Sequence, residues 1–546
     1  DPACGCGNFL VIAYRELRLL ELEVIRIEQK RSKGQMQNVL DIQNLSRINV
    51  DQFYGIEIEE FPAQIAQVAL WLMDHQMNML VSAAFGIYYI RLPLTKQPGI
   101  FCKNALRIDW EDIIKPDELS FILGNPPFVG SKFLSREQRD EMDFVFDGTN
   151  GSGILDYVTA WYIKAARYIY GTNIRVGFVS TNSITQGEQV GVLWNILINK
   201  FGVKIHFAHR TFKWSEARGK AAVHCVIVGL GLIEPSECFI FDYETVDADP
   251  FKMKVNRINP YLVDAPDVLL KNRKKPICDV PLAGIGNKPI DNGNYLFTKD
   301  EKDIFLRKEP KAERWMKPWM GADEFINGYQ RYCLWLGDCS PEELRSMPEV
   351  MKRVEAVRQY RLSRSSKPTI KLAATPTRFH VENMPTVPFV LIPKVSSERR
   401  KYIPMGLMEP DCLCSDLVHI IPHTNLYHFG VLTSGMHMAW VRYVCGRLES
   451  RYRYSIGIVY NNFPWPRPSA KQRAAIEKAG NKVLEVRGRY PKACLADLYD
   501  PLTMPTDLQK AHDVLDATVE RAYGKRFNTD AERVAHLFER YQEIVG

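Results

Sequence analysis

The sequence lacks any apolar run approaching the ~20 residues of a membrane-spanning helix, so no segment reads as crossing a bilayer. It has no internal repeat and no low-complexity tract, which sets aside solenoids and disordered tails. It has little net charge: Lys plus Arg number 71 against 64 Asp plus Glu, a formal +7. That permits an anionic partner without requiring one, and shifts the question to where the charge lies. Twelve cysteines are present without a disulfide framework. The close pairs Cys4/Cys6 and Cys412/Cys414 have no second pair at zinc-ligand spacing. His419 and His423 follow the second pair and leave a metal site conceivable, but reduced thiols in a cytoplasmic protein are the plainer reading and no metal is assigned. What remains is ordinary: 546 residues, 46% hydrophobic, enough for three or four packed domains.

The first part alternates strand and helix. Asn8 to about Lys33 reads as a long helix, Phe53–Ile58 as a strand, and Phe61 to Met77 as an apolar-periodic helix. Ile100–Cys102 and Ser120–Leu123 are strands, Ile154 to Tyr170 a helix, and Val176–Ser180, Lys204–Ala208 and Ala222–Leu230 strands. Such alternation predicts a parallel sheet covered on both faces, with ligands at the carboxyl ends of its strands. After about Glu234, prolines, glycines, short aromatic strands and basic clusters dominate to about Tyr460. From Pro466 onward the pattern is helical with polar faces.

Two stretches carry chemistry. Asp1-Pro2-Ala3-Cys4-Gly5-Cys6-Gly7-Asn8-Phe9 is a strand-to-helix turn whose glycines allow a tight bend and a close ligand approach. Ile122-Leu123-Gly124-Asn125-Pro126-Pro127-Phe128 ends a predicted strand. Its prolines stiffen the backbone and remove two donors, leaving carbonyls free to accept. Asn125 adds a side-chain acceptor and Phe128 a flat apolar face, which suits a planar group carrying an amine. Alone, Asn-Pro-Pro would be a stiff turn.

Together, in this order and followed by a large C-terminal portion, the two stretches resemble the gamma-type amino-methylating DNA methyltransferases that use S-adenosylmethionine. The resemblance implies a loop from Asp1, Pro2, Ala3, Cys4, Gly5, Gly7, Asn8 and Phe9 around the methionine end of the cofactor. It implies Glu57 on the ribose hydroxyls, against the alternative of a surface Glu, and Asn104 and Ala105 at the adenine. Many relatives carry Asp where this chain has Asn104, and Ser where it has Cys6. It further implies a target adenine flipped from the duplex, stacked on Phe128, with its amine held by the Asn125 oxygen and a carbonyl of Pro126-Pro127. Asp156-Tyr157 would line the pocket or merely cap a helix. Lys213–Lys220 would lie near DNA.

In the C-terminal half, Lys352 to Arg378 is strongly basic with the single acid Glu355. Lys394–Pro404 mixes charge with an aromatic. A charge run is usually a solvated face, but beside a DNA-modifying core phosphate binding is the stronger reading. Arg358, Arg361, Lys371, Arg399, Arg400 and Lys401 are the candidate DNA contacts. Ser397-Glu398-Arg399-Arg400-Lys401-Tyr402-Ile403-Pro404, His437-Met438-Ala439-Trp440 and Tyr460-Asn461-Asn462-Phe463-Pro464-Trp465-Pro466 resemble the MmeI family of type IIL restriction–modification proteins.

That resemblance implies an α/β class I methyltransferase core over 1–235, Rossmann-like, with a mostly parallel seven-stranded sheet whose first strand is truncated. It implies an α+β target-recognition domain over 236–460 and a helical domain over 461–546. The expected activity is adenine-N6 methylation of double-stranded DNA, with nuclease and helical spacer domains upstream in a longer chain. Without the first strand, weak cofactor binding is expected. Protein glutamine methylation and a silent DNA-specificity module are the alternatives.

Overall fold

A computed structural model describes residues 1–31, 46–85, 97–214, 223–245, 247–410 and 412–546. The chain divides into two compact units, one of residues 1–185 and 189–269, the other of residues 186–188 and 270–546. Among the described residues no helix is long and apolar enough to cross a membrane.

The first unit follows the predicted alternation: α1 (Asn8–Arg31), β1 (Tyr54–Glu57), α2 (Glu60–Phe85), β2 (Gly99–Cys102), β3 (Phe121–Gly124), α3 (Arg136–Phe146), α4 (Thr159–Tyr168), β4 (Arg175–Thr181), α5 (Gly187–Asn199), β5 (Lys204–Trp214) and β6 (Val223–Gly231). Leu10 and Tyr14 of α1 pack with Ala63, Ala66, Leu70 and Met77 of α2, a repeat of three, four and seven that puts one apolar stripe of each helix inside. β1 and β2 form a parallel pair, and the larger sheet runs β3-β4-β6-β5, with β3 parallel to β4. Asp1 lies between the two sheets. Its N–H groups donate to Tyr54 O and its carbonyl accepts from Ile56 N, as in a parallel ladder, while its carboxylate lies where a Cβ on Gly124 would sit.

Two features depart from the predicted sheet. β6 is antiparallel to both β4 and β5. A parallel return needs a crossover of about a dozen residues, and the interval 215–222 is too short for one. Beyond residue 235, β7 (Cys238–Asp242) and β8 (Phe251–Val255) join the sheet next to β5, so the first unit continues to Leu269. The helix expected from Ile154 begins at Thr159, because Asp156 and Tyr157 are bonded elsewhere.

The second unit contains two four-stranded sheets, a small three-stranded one of Val395–Ser396, Arg451–Arg453 and Arg447–Leu448, and a helical end. Its principal elements include β9 (Gly284–Ile285), β10 (Leu296–Thr298), β11 (Met316–Met320), β12 (Arg331–Leu334), α6 (Pro348–Leu362), β13 (Phe389–Pro393), β14 (Gly406–Met408), β15 (Leu413–Cys414) and β16 (Val418–Pro422), then helices α7 (Leu426–Thr433), α8 (Gly435–Val444), α9 (Ala470–Gly488), α10 (Thr506–Ala522) and α11 (Asp530–Val545). One sheet runs β10-β12-β11-β15, the other β14-β13-β16-β9. Every residue of β13 is buried, as its unbroken apolar run requires of a central strand. Cys412 and His419 turn to backbone carbonyls, of Pro318 and Tyr454 respectively.

Four histidines sit inside this unit. Burial holds His419 and His428 down to about 4 and His437 to about 3, and pushes His512 well below its ordinary value. Their folded values lie below that of the unfolded chain. The stability they contribute is therefore present above about pH 6.5 and lost as pH falls toward 4, at roughly 1.4 kcal/mol per pH unit for each imidazole. Asp516, raised to about 6 by burial, works the other way over part of that window. Thermal melts should show the second unit losing stability steeply between pH 6.5 and 5, and His437→Gln should flatten that slope by about one proton. A pH-independent melting temperature over this range would contradict the account.

Candidate functional site

The opening loop is shaped by two left-handed glycines, Gly5 at φ +52 and Gly7 at φ +83. Gly7 is needed twice over, since a Cβ there would lie 3.0 Å from Ala66 Cβ of α2. Cys4 N donates to Ile56 O at 3.1 Å, which fastens the loop to β1. Burial pushes the Cys4 thiol up to about 11, so it stays neutral, while Cys6 is exposed. Asn8 is exposed and Phe9 half-buried at the start of α1.

Glu57 closes β1 and is half-buried. One carboxylate oxygen accepts from Gly5 N at 2.8 Å and the other from Ile58 N at 2.9 Å and Glu59 N at 3.0 Å. The first oxygen therefore keeps a lone pair for a further donor. Beside it, Cys102 is in register with Glu57, and Lys103 N donates to Glu57 O at 2.8 Å. Asn104 follows directly. Its oxygen accepts from Leu106 N at 3.0 Å and its amide donates to Glu141 Oε1 at 2.6 Å. Ala105 is buried, and its N–H has no partner among the described residues.

Asn125-Pro126-Pro127-Phe128 leaves the carboxyl end of β3, just past Gly124 and hence beside Asp1. Pro126 is buried, Pro127 exposed, and Asn125 and Phe128 half-buried. The Asn125 Oδ1 atom is buried and has no hydrogen-bond partner among the described residues. The segment that follows is tied down: Tyr157 N donates to Val129 O at 2.9 Å and Ser131 N to Asp156 Oδ1 at 3.0 Å. The other Asp156 oxygen accepts from Thr181 Oγ1 at 3.4 Å and from Ser183 Oγ, at the end of β4. Asp156 is thus a clasp between two loops, and the N-terminal cap of α4 is Val158.

These pieces form one chain of contacts. Pro2 O accepts from Trp161 Nε1 at 3.0 Å, the Trp161 ring meets Tyr157 edge-on at 5.1 Å, and the Tyr157 hydroxyl donates to Glu141, which holds Asn104. Tyr157 stands out in the sequence; Trp161 and Glu141 do not. A cavity of about 910 Å³ in the same unit lies elsewhere. It is lined by residues of α1, β1, β3 and the turns before the two strands, and of the candidate cofactor and catalytic residues it touches only Asp1 and Pro2.

The basic candidates of the second unit separate. Arg399, Lys371, Arg358 and Lys401 are exposed; Arg358 pairs with Glu355 at 3.6 Å and Lys401 with Asp513 at 3.4 Å. Arg400 is half-buried, with Ser396 Oγ at 3.5 Å. Arg361 corrects the expectation of a phosphate contact. It is fully buried, and its five N–H groups go to the carbonyls of Ile290, Leu372, Thr375, Pro289 and Arg378. Of Lys213–Lys220, all but Lys213 and Trp214 lie outside the described residues.

Three family models divide the chain. The one described as MmeI, DNA-methyltransferase domain, matches residues 1–242. MmeI, target recognition domain, matches 264–467, and MmeI, C-terminal domain, matches 468–546. DNA methyltransferase A of Bacillus subtilis (strain 168) is 42% identical over 549 residues, covering all of this chain, which spans 61% of that protein. The solved structure of the type IIL restriction–modification enzyme MmeI in complex with DNA is 52% identical, with a TM-score of 0.88 over all of this chain and 72% of that one. With three consecutive domains in the same order and a matching solved fold, the chain belongs to the MmeI family.

Proposed function

We propose that the chain is the modification and specificity portion of a type IIL restriction–modification protein. In this reading it methylates N6 of adenine at an asymmetric site in double-stranded DNA, using S-adenosylmethionine. The observation that carries it is Asn125. A buried acceptor without a donor costs about 1–3 kcal/mol, and here it sits beside a half-buried Phe128 at the end of a strand. Such an atom awaits a donor on a planar ligand, and an exocyclic amine supplies one.

The residues present fit the cofactor. The glycine loop leaves room for close backbone approach, and Glu57 keeps acceptor capacity for a diol. Asn104 Oδ1 and the Ala105 N–H pair an acceptor with a donor, which suits the amine edge of adenine. When bound, S-adenosylmethionine would supply an activated methyl group on its sulfonium. The protein's own work is positioning. Asn125 Oδ1 and the Pro126 carbonyl accept from the amine of a flipped base, drawing its lone pair out of conjugation with the ring. Phe128 stacks on the base and offsets part of the few kcal/mol of unstacking. Arg399, Lys371, Arg358 and Lys401 are placed on the surface to meet phosphates. Nuclease and spacer domains in a longer chain belong to the same reading.

Single-molecule sequencing of DNA from cells expressing the full-length protein tests it. N6-methyladenine on one strand of one asymmetric sequence is the expected result. Methylcytosine instead, or unmodified DNA, overturns the reading.

A further inference from the structure

We infer that Glu141 is a positioning residue for the cofactor's adenine, acting through Asn104; this rests on the cofactor reading above. A carboxamide can present either its oxygen or its NH2 to a ligand, and the two faces are nearly equal in shape. Here two contacts agree on one orientation. The Asn104 NH2 points at Glu141 Oε1, 2.6 Å away, and the oxygen faces Leu106 N at 3.0 Å. A carboxylate accepts and does not donate, and a backbone N–H only donates, so turning the amide over would set oxygen against oxygen and N–H against N–H. Glu141 thereby commits Asn104 to act as an acceptor toward anything that approaches its second lone pair.

Glu141 is itself held. It lies on α3, only 8% exposed. Its other oxygen accepts from the Tyr157 hydroxyl, and Arg107 Nε stands 4.0 Å from Oε1. Burial, then the bond to Glu141, pushes the Tyr157 phenol up, which keeps it a donor. With the Ala105 N–H alongside, the committed acceptor matches the amine and ring nitrogen of adenine. It opposes hypoxanthine, whose oxygen and ring N–H invert that pattern. The pair also accounts for an Asn at 104. An Asp there would face Glu141 across 2.6 Å, and two carboxylates that close do not both ionise. The negative charge stands behind the amide, on Glu141, and Asn104 Oδ1 supplies the acceptor.

Calorimetry on the full-length protein with S-adenosylhomocysteine and its deaminated analogue S-inosylhomocysteine tests this. The parent should prefer the adenine compound by on the order of 10²-fold or more. Glu141→Gln, which can donate as well as accept, should compress that preference about tenfold. Asn104→Asp should weaken S-adenosylhomocysteine about tenfold or more, and adding Glu141→Gln to it should restore affinity to within about threefold of the parent. A purely structural Glu141 would shift both ligands equally, leaving the preference intact, and would make the double variant no better than Asn104→Asp. Either result overturns the inference. A parent that binds neither ligand overturns the cofactor reading itself, and the inference falls with it.

Discussion

Asn125→Ala is expected to lower methyl transfer by on the order of 10²–10³-fold or more, the scale set by removing one preorganised hydrogen-bonding group from a reacting centre. DNA affinity should stay within about threefold, because phosphate contacts supply most of it and the exposed basic side chains lie in the other unit. The informative companion is the melting temperature. Asn125 Oδ1 has no partner among the described residues, so deleting it removes a cost rather than a bond. The variant should melt at or above the parent temperature, as when a functional group is held at the expense of stability. Unchanged turnover would remove the proposed mechanism, and a marked loss of stability would assign Asn125 to the fold.

The second large effect is on stability. Arg361→Ala leaves the carbonyls of Pro289, Ile290 and Arg378 without a donor, while those of Leu372 and Thr375 keep Thr375 N and Arg378 N. Each buried orphan costs about 1–3 kcal/mol, so even two would consume a large share of the 5–15 kcal/mol that holds a domain together. The second unit should lose more than about 10 °C in melting temperature or fail to fold. Arg361→Lys should not rescue it, since three donors on a flexible stem cannot replace a planar fork of five. Arg358→Ala, at an exposed ion pair one turn away, should stay within about 0.5 kcal/mol. An Arg361→Ala protein that melts like the parent but binds DNA less tightly would reinstate the phosphate role.

Arg361 also marks where sequence reading stops. The run from Lys352 to Arg378 drew attention by its charge, yet the decisive pattern was apolar. Val350, Val354 and Val357 form the buried stripe of α6, and Arg361 continues it at the same spacing while Arg358 lies off it. Placed on the core face, an arginine must find acceptors inside the protein, and its neighbours in sequence could not reveal which. The glycine turn and Asn-Pro-Pro-Phe were legible because backbone geometry dictates their residues: φ values at Gly5 and Gly7, missing donors at the prolines. Glu141 was not, and neither was the clasp that Asp156 makes. Their partners lie 37 and 25 residues away, and only the packing of α3 and of the loop before α4 brings them close. The sheet beyond residue 235 was missed because β7 and β8 follow a prolyl break, although Phe239 and Ile240 carry the apolar pattern of a strand beside β5.

The Asp156 clasp has a further consequence. With Gly124 laddered to β4 and Val129 and Ser131 fastened to the residues ahead of α4, the stretch between them is anchored at both ends before any ligand arrives. Ordering a free loop costs about 1–2 kcal/mol per residue, and here that entropy is lost once, during folding, instead of at every turnover. In the proposed reaction the receptor for the base is then a fixed mould, so the tempo of modification would be governed by how readily the double helix yields a nucleotide, and flexible, weakly stacked steps around the target would be modified sooner than stiff ones.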